Sequence, residues 1–192
     1  MLYQIVSLLL EVVVGLLAGA CLLRLYMQWQ RIPMSLRSGN PIARFIFTLT
    51  DWLVLPLRKA LPAVGSLDTA SLVGAFLLEL GQFTVLWLLQ DMAAPVATLP
   101  VLALVGLVRL SISALTALVI AYAVLSWVPG PGQSPFADII ERLVAPALAP
   151  IRRILPLVGG VDLSPLALLV ILQIAAIVLG SFQATLLRLV LV

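Results

Sequence analysis

The chain has 192 residues, of which 63% are hydrophobic and only 10% charged. Soluble domains carry about 25% charged residues, so this composition excludes an ordinary soluble domain and points to a membrane protein. A net charge of +3, spread along the chain, is too small to suggest nucleic-acid binding, and one cysteine with no histidine excludes an intrachain disulfide, Cys/His zinc sites and histidine acid–base catalysis.

A membrane-spanning helix needs about 20 mostly apolar residues. Four stretches, roughly 2–25, 69–90, 101–128 and 165–190, meet that requirement. The first carries Glu11, then Gly15 and Gly19 in a G-x-x-x-G spacing that lets helix backbones approach closely. Cys21 follows a small-residue stretch, but no basic region precedes it and Ala18 stands where a lipidation signal needs leucine. Cys21 is therefore expected to be buried in the helix, unlipidated.

Beyond Arg24 comes a connection of about 40 residues. Residues 41–55 are apolar except for Arg44, Thr48, Thr50 and Asp51, and positions 44, 48 and 51 share one helical face. Fifteen helical residues reach about 22 Å, short of the roughly 30 Å hydrocarbon core. An amphipathic helix lying in the interface is the simplest reading, with a re-entrant hairpin as the alternative. Pro56 is expected to close this helix, a turn follows at Gly65, and Asp68 stands at the N-cap of the second span, which carries Glu79. The hairpin 90–100 contains no Lys or Arg, carries Asp91, and is broken by Pro95 and Pro100.

The third span carries Arg109 and the small residues Ser113, Ala117 and Ala121. In the second long connection Asp138, Glu141 and Arg142 form the matching polar stripe, with Pro146 and Pro150 expected to end the helix. Gly159 and Gly160 supply the turn. Ser164 and Pro165 read as cap and first residue of the fourth span, which carries Gln173.

The two connections repeat one pattern. Pro56, Arg58, Pro62, Gly65 and Asp68 return 94 positions later as Pro150, Arg152, Pro156, Gly159 and Asp162, with Arg153 in place of Lys59. Asn40-Pro41 returns as Ser134-Pro135 at the same offset. An unbroken register of this length indicates a duplicated unit, residues 1–94 and 95–192. Basic residues gather in the long connections, so the positive-inside rule places both connections in the cytoplasm and both termini outside. The fold expected is an all-α membrane protein of four transmembrane helices. They form two parallel two-helix repeats about an axis along the membrane normal, each with an interfacial amphipathic helix in its cytoplasmic connection. The twin motif reads as a rigid re-entry into the membrane, each residue having a backbone or interfacial role, with a ligand site as the alternative. Trp29, Trp52 and Trp127 read as interfacial anchors.

Glu11, Glu79 and Arg109 lie inside predicted spans, where each costs about 2.5–3.5 kcal/mol on insertion scales and must pair or face the bundle interior. Aligning Trp29 with Trp127 gives an offset of 98 that matches Glu11 with Arg109, whereas the second spans match at 94 and set Glu79 against Gln173. These four residues predict one intramembrane polar cluster, either an ion pair fixing helix register or part of an ion path. The same alignment matches Gly15 and Gly19 with Ser113 and Ala117, a small-residue seam where the first and third spans, or two protomers, touch.

The second half resembles the YggT repeat through Trp127, Ser134-Pro135, Pro146, Pro150, Arg152, Arg153, Pro156, Gly159, Gly160, Asp162, Ser164, Pro165 and Gln173. The first half resembles it through Asn40-Pro41, Arg44-Phe45, Pro56, Arg58, Pro62, Gly65 and Asp68, but has Ser66 and Ala70-Ser71 where the family has a second glycine and Ser-Pro. The resemblance implies a small bacterial integral membrane protein of the cytoplasmic (inner) membrane, in a family tied to osmotic tolerance and potassium uptake. Relatives are tied to division or nucleoid organisation and, in plastids, to cytochrome b6 maturation. It implies no catalytic residue.

Phosphate-loop, dinucleotide, nucleophile-elbow and H-E-x-x-H motifs are missing, so an enzyme is not expected, nor any cofactor or metal. The function expected is a non-enzymatic scaffold or assembly factor, with a channel or transporter component using the intramembrane charges as the alternative. Expected partners are the bilayer itself, anionic lipid head groups against Arg58, Lys59, Arg152 and Arg153, and membrane proteins or further copies of this chain, with no nucleic acid.

Overall fold

The computed structural model describes residues 1–34, 40–61, 67–90, 95–127, 135–155 and 162–190. Six α-helices account for most of them: α1 Leu2–Trp29, α2 Pro41–Ala60, α3 Thr69–Leu89, α4 Leu99–Trp127, α5 Pro135–Arg152 and α6 Ser164–Val190. A 3-10 turn at Val96–Thr98 leads into α4, and Pro100 sits in that helix's first turn, where its missing N–H costs nothing. Four helices, α1, α3, α4 and α6, are long and apolar enough to cross a membrane.

Local chemistry sets the helix starts. Asn40 caps α2, its side-chain oxygen accepting from the N–H groups of Ile42 and Ala43 at 3.0 and 3.1 Å. Asp68 caps α3, as its position in the sequence implies, accepting from the Ser71 N–H at 3.4 Å and the Ser71 hydroxyl at 2.7 Å. At the start of α6 the cap differs from the expectation. Asp162, two residues earlier than Ser164's own N–H, accepts that N–H at 2.9 Å, so Ser164 lies inside the helix and not at its cap.

Both connecting helices run through the prolines expected to end them. Pro56 lies inside α2, and Pro146 and Pro150 lie inside α5. Each interior proline removes one backbone bond and leaves the carbonyl four residues earlier without its helical donor. The rest of each helix persists because its apolar face is packed: Ala43, Ile46 and Val54 of α2 are buried, as are Ile140, Leu143, Val144 and Leu148 of α5. At 20 residues α2 reaches about 30 Å, longer than the roughly 22 Å expected from residues 41–55, yet it is not among the helices apolar enough to cross a membrane.

α3 packs on α1 and α4, α4 packs on α6, and α1 also touches α4. α2 lies against α1 and α3, and α5 against α4 and α6. The two connecting helices share one end of the bundle. Met27 and Ile32, at and beyond the end of α1, pack with Ile46 of α2 and Leu143 of α5, and the Tyr26 hydroxyl donates to the Leu143 carbonyl at 2.8 Å. This is the connector end. At the opposite end Gln90 Nε2 donates to the Tyr3 hydroxyl at 2.5 Å, tying the end of α3 to the start of α1.

Candidate functional site

The connector end holds two versions of one clamp. In the first repeat Arg58, near the end of α2, bonds to Asp68 at the start of α3 through both Nε, at 3.3 Å, and Nη2. In the second repeat Arg152 Nε donates to Asp162 at 2.9 Å. Each ion pair ties the end of a connecting helix to the residue at or just before the start of the next span. Burial pushes the Asp68 carboxyl up, but bonds from Arg58 and Ser71 outweigh it and hold the group below the usual carboxylate range. Asp162 is lowered in the same way, contacts from Ser164 and Arg152 overriding its burial.

A third side chain completes each clamp, and here the copies differ. Arg24 of α1 is only 2% exposed and Asp68 only 1%. Arg24 Nη1 donates to Thr50 Oγ1 and Asp51 Oδ1, both at 2.7 Å, and its Nε lies 3.8 Å from Asp68 Oδ2. Its guanidinium also sits 4.8 Å from the Phe47 ring centre. At the offset of 98, position 24 corresponds to Tyr122, and the Tyr122 hydroxyl accepts from Arg152 Nη2 at 2.8 Å. At the offset of 94, Thr50 and Asp51 correspond to Val144 and Ala145. The buried cation and its two acceptors therefore disappear together in the second copy, replaced by a phenol and two apolar residues.

None of Arg24, Thr50, Asp51 and Tyr122 was singled out from the sequence as part of this motif. Arg24 reads there as one more basic residue at the membrane border. The signal that finds it is the change of Arg to Tyr at one duplicated position coupled to Asp to Ala at another.

Arg58 and Arg152 are thus paired within the fold, though each side chain stays more than a third exposed, and Lys59, Arg153, Pro56 and Pro150 are exposed as well. Pro165 is buried in the first turn of α6. Pro62, Gly65, Pro156, Gly159 and Gly160, with the turns expected of them, lie outside the described residues, as do Ser134, Asp91 and the side chain of Trp127. Trp29 and Trp52 are exposed, and Cys21 is buried and free.

Midway along the spans, Arg109 Nη2 donates to Glu11 Oε1 at 3.1 Å, and each side chain is 61% exposed on the outer face of α1 and α4. Glu79 of α3 is 6% exposed and turned toward α4, against Gly106 and Phe83. The charges acting on it are those of Arg109 and Glu11. Gln173 does not join them. It is exposed on α6, which packs on α4 and α5, whereas α3 sits between α1 and α4, so the duplicated positions 79 and 173 face different surroundings.

The small-residue positions do not form a tight seam between α1 and α4. Gly15, Gly19, Ser113 and Ala117 line an open apolar cleft of ≈ 760 Å³, and a Cβ built on either glycine would meet nothing within 4 Å. The long side chains of Glu11 and Arg109 bridge the gap one turn away and do not require the backbones to touch. The close glycine approach lies instead at Gly106, where a Cβ would overlap the Glu79 carboxylate and the Phe83 ring. Among the described residues no group of three acidic, cysteine or histidine side chains is placed to hold a metal ion.

The CCB3/YggT family model matches residues 3–89 and 101–183. The uncharacterized protein YggT of Escherichia coli strain K12 is 36% identical over 169 residues, covering 86% of this chain and 84% of that protein. An uncharacterized Vibrio alginolyticus protein from the proC 3' region is 33% identical over 177 residues, covering 91% of this chain and 93% of its own length. An uncharacterized Haemophilus influenzae protein is 30% identical over 161 residues, covering 83% of each. No solved structure matches the chain significantly.

Proposed function

This chain belongs to the CCB3/YggT family, and from that premise we propose that it is a non-enzymatic scaffold or assembly factor of the bacterial cytoplasmic membrane. The observation that carries this reading is how the twin motif uses its ionisable groups. Arg58 with Asp68, and Arg152 with Asp162, are paired with each other, so each of these charges already has its partner within the fold. Such a motif fixes where two helices re-enter the bundle, which suits a rigid platform. The exposed cations beside it, Lys59 and Arg153, then meet anionic head groups or a partner's acidic surface, each charge being worth about 1 kcal/mol near an anionic leaflet.

Positive charge in the long connections supports placing the connector end in the cytoplasm and both termini outside. The amphipathic pattern of α2 and α5 supports their lying in the inner interface. The role in osmotic tolerance implied by the family resemblance would follow if the assembled partner were an osmotic-stress component.

Crosslinking followed by purification from native membrane tests the proposal. It predicts recovery of a defined membrane complex that weakens when Lys59 and Arg153 are both changed to Ala, with folding retained because neither side chain is buried. One observation favours a channel or transporter component instead, the buried carboxylate of Glu79 at mid-span. Ion flux into liposomes containing only this protein, lost in Glu79→Gln, would establish that reading and displace the scaffold.

A further inference from the structure

Glu11, Gly15 and Gly19 form one i, i+4 row along α1, and Arg109, Ser113 and Ala117 form the corresponding row along α4. The first rung of this ladder is the Glu11–Arg109 ion pair, and the next two rungs are the floor of the ≈ 760 Å³ cleft. Beside the α1 row runs a second row, Leu8, Val12 and Leu16, all exposed. One face of the molecule therefore carries a groove floored by small residues, an apolar ridge next to it, and an acid and a base at matching depth.

We propose that this α1/α4 face is the contact between two copies of the chain, related by a two-fold axis along the membrane normal. Such an axis keeps depth constant, so each copy brings Glu11 and Arg109 to the level of its partner's pair. The four charges then alternate in sign around the axis. The ridge of each copy faces the groove of the other, the close approach that small residues permit between helices. A lipid chain would fill the cleft but leave both 61%-exposed charges against hydrocarbon, where each is costly. A second copy covers the cleft and the charges together.

The test uses the full-length protein in detergent and in lipid nanodiscs, with Cys21→Ala removing the native thiol. Chains carrying Ser113→Cys, mixed with chains carrying Leu16→Cys on the ridge, are expected to crosslink to a mixed dimer on oxidation, and Leu166→Cys, exposed on α6 away from this face, is not expected to crosslink. Gly19→Leu, filling the groove, is expected to abolish the crosslink. Because that variant could also misfold, a second arm exchanges the charges as Glu11→Arg with Arg109→Glu. The exchanged protein retains its internal pair and should dimerise with itself. Against the original chain, however, it places like charges side by side, so differently tagged original and exchanged chains should no longer copurify. Free mixing of the two, equal crosslinking at position 166, or a monomer carrying only lipid or a different protein by native mass spectrometry would each overturn the proposal.

Discussion

Gly106 stands where α4 passes over the Glu79 carboxylate and the Phe83 ring, and a methyl group there would overlap both. The absence of a side chain is what allows α3 and α4 to enclose a carboxylate inside an apolar bundle. Gly106→Ala is expected to lower stability by about 1–3 kcal/mol, the usual cost of overpacking a filled site, read as a reduced melting temperature in detergent. Gly15→Ala and Gly19→Ala, which face open space inside α1, should leave the monomer's stability unchanged or raise it by up to about 1 kcal/mol, alanine being the better helix former. The sequence alone suggests the reverse ranking, because G-x-x-x-G is a recognised spacing while a lone glycine at 106 carries no pattern. Only the path of the neighbouring helix tells the two apart.

Titration belongs to the same scale. Asp68 and Asp162 both have folded values below their unfolded ones. A carboxyl shifted in that direction adds stability that is fully present above about pH 3.9, its unfolded value, and is lost as pH falls through the folded one. Thermal stability is therefore expected to hold down to about pH 4 and to drop as the pH is taken from there toward about 2, and Asp68→Asn should flatten that dependence while lowering stability at neutral pH. A melting temperature insensitive to pH over this window would show that neither clamp contributes.

At the scale of elements, the clamp ties three helices through Arg24. Removing one member of a buried ionic set typically costs about 3–5 kcal/mol, because the remaining charges are left uncompensated. Arg24→Ala is expected to destabilise strongly for this reason. The second repeat supplies the control: it makes the same joint with Tyr122, Val144 and Ala145. Installing that set as Arg24→Tyr, Thr50→Val and Asp51→Ala together should retain more stability than Arg24→Ala alone, measured by thermal unfolding of both proteins side by side. If the triple variant were the less stable, the two joints would not be equivalent. The helices also explain why proline misleads as a boundary marker here. Pro56, Pro146 and Pro150 each remove one hydrogen bond, but the buried faces of α2 and α5 hold the helix on either side. Position in the sequence shows the lost bond and hides the packing that offsets it.

For the whole molecule, the duplication makes the two connectors share one end, where Ile46 of α2 packs with Leu143 of α5 and Tyr26 of α1 bonds to Leu143 across the repeats. Cysteines placed at Lys59 and Arg153, in the Cys21→Ala background, should therefore label from the same side of the membrane, expected to be the cytoplasmic one. Labelling of one from each side would contradict the parallel arrangement.

Much of this architecture was determined by the sequence itself. Four apolar runs of sufficient length, an offset repeated without slippage, and Asn or Asp before two of the helices are local or periodic signals that survive in one dimension. The pairing of Glu11 with Arg109 was legible for the same reason, since duplicated positions in parallel repeats fall at equal depth. Tertiary structure alone decided that Arg24 is buried against Thr50 and Asp51, that Gln173 lies apart from Glu79, and that the glycine pair lines an open cleft. Those outcomes depend on which face of each helix turns toward which neighbour. Hydropathy places a residue along the membrane normal but leaves its rotation about the helix axis to be settled by packing.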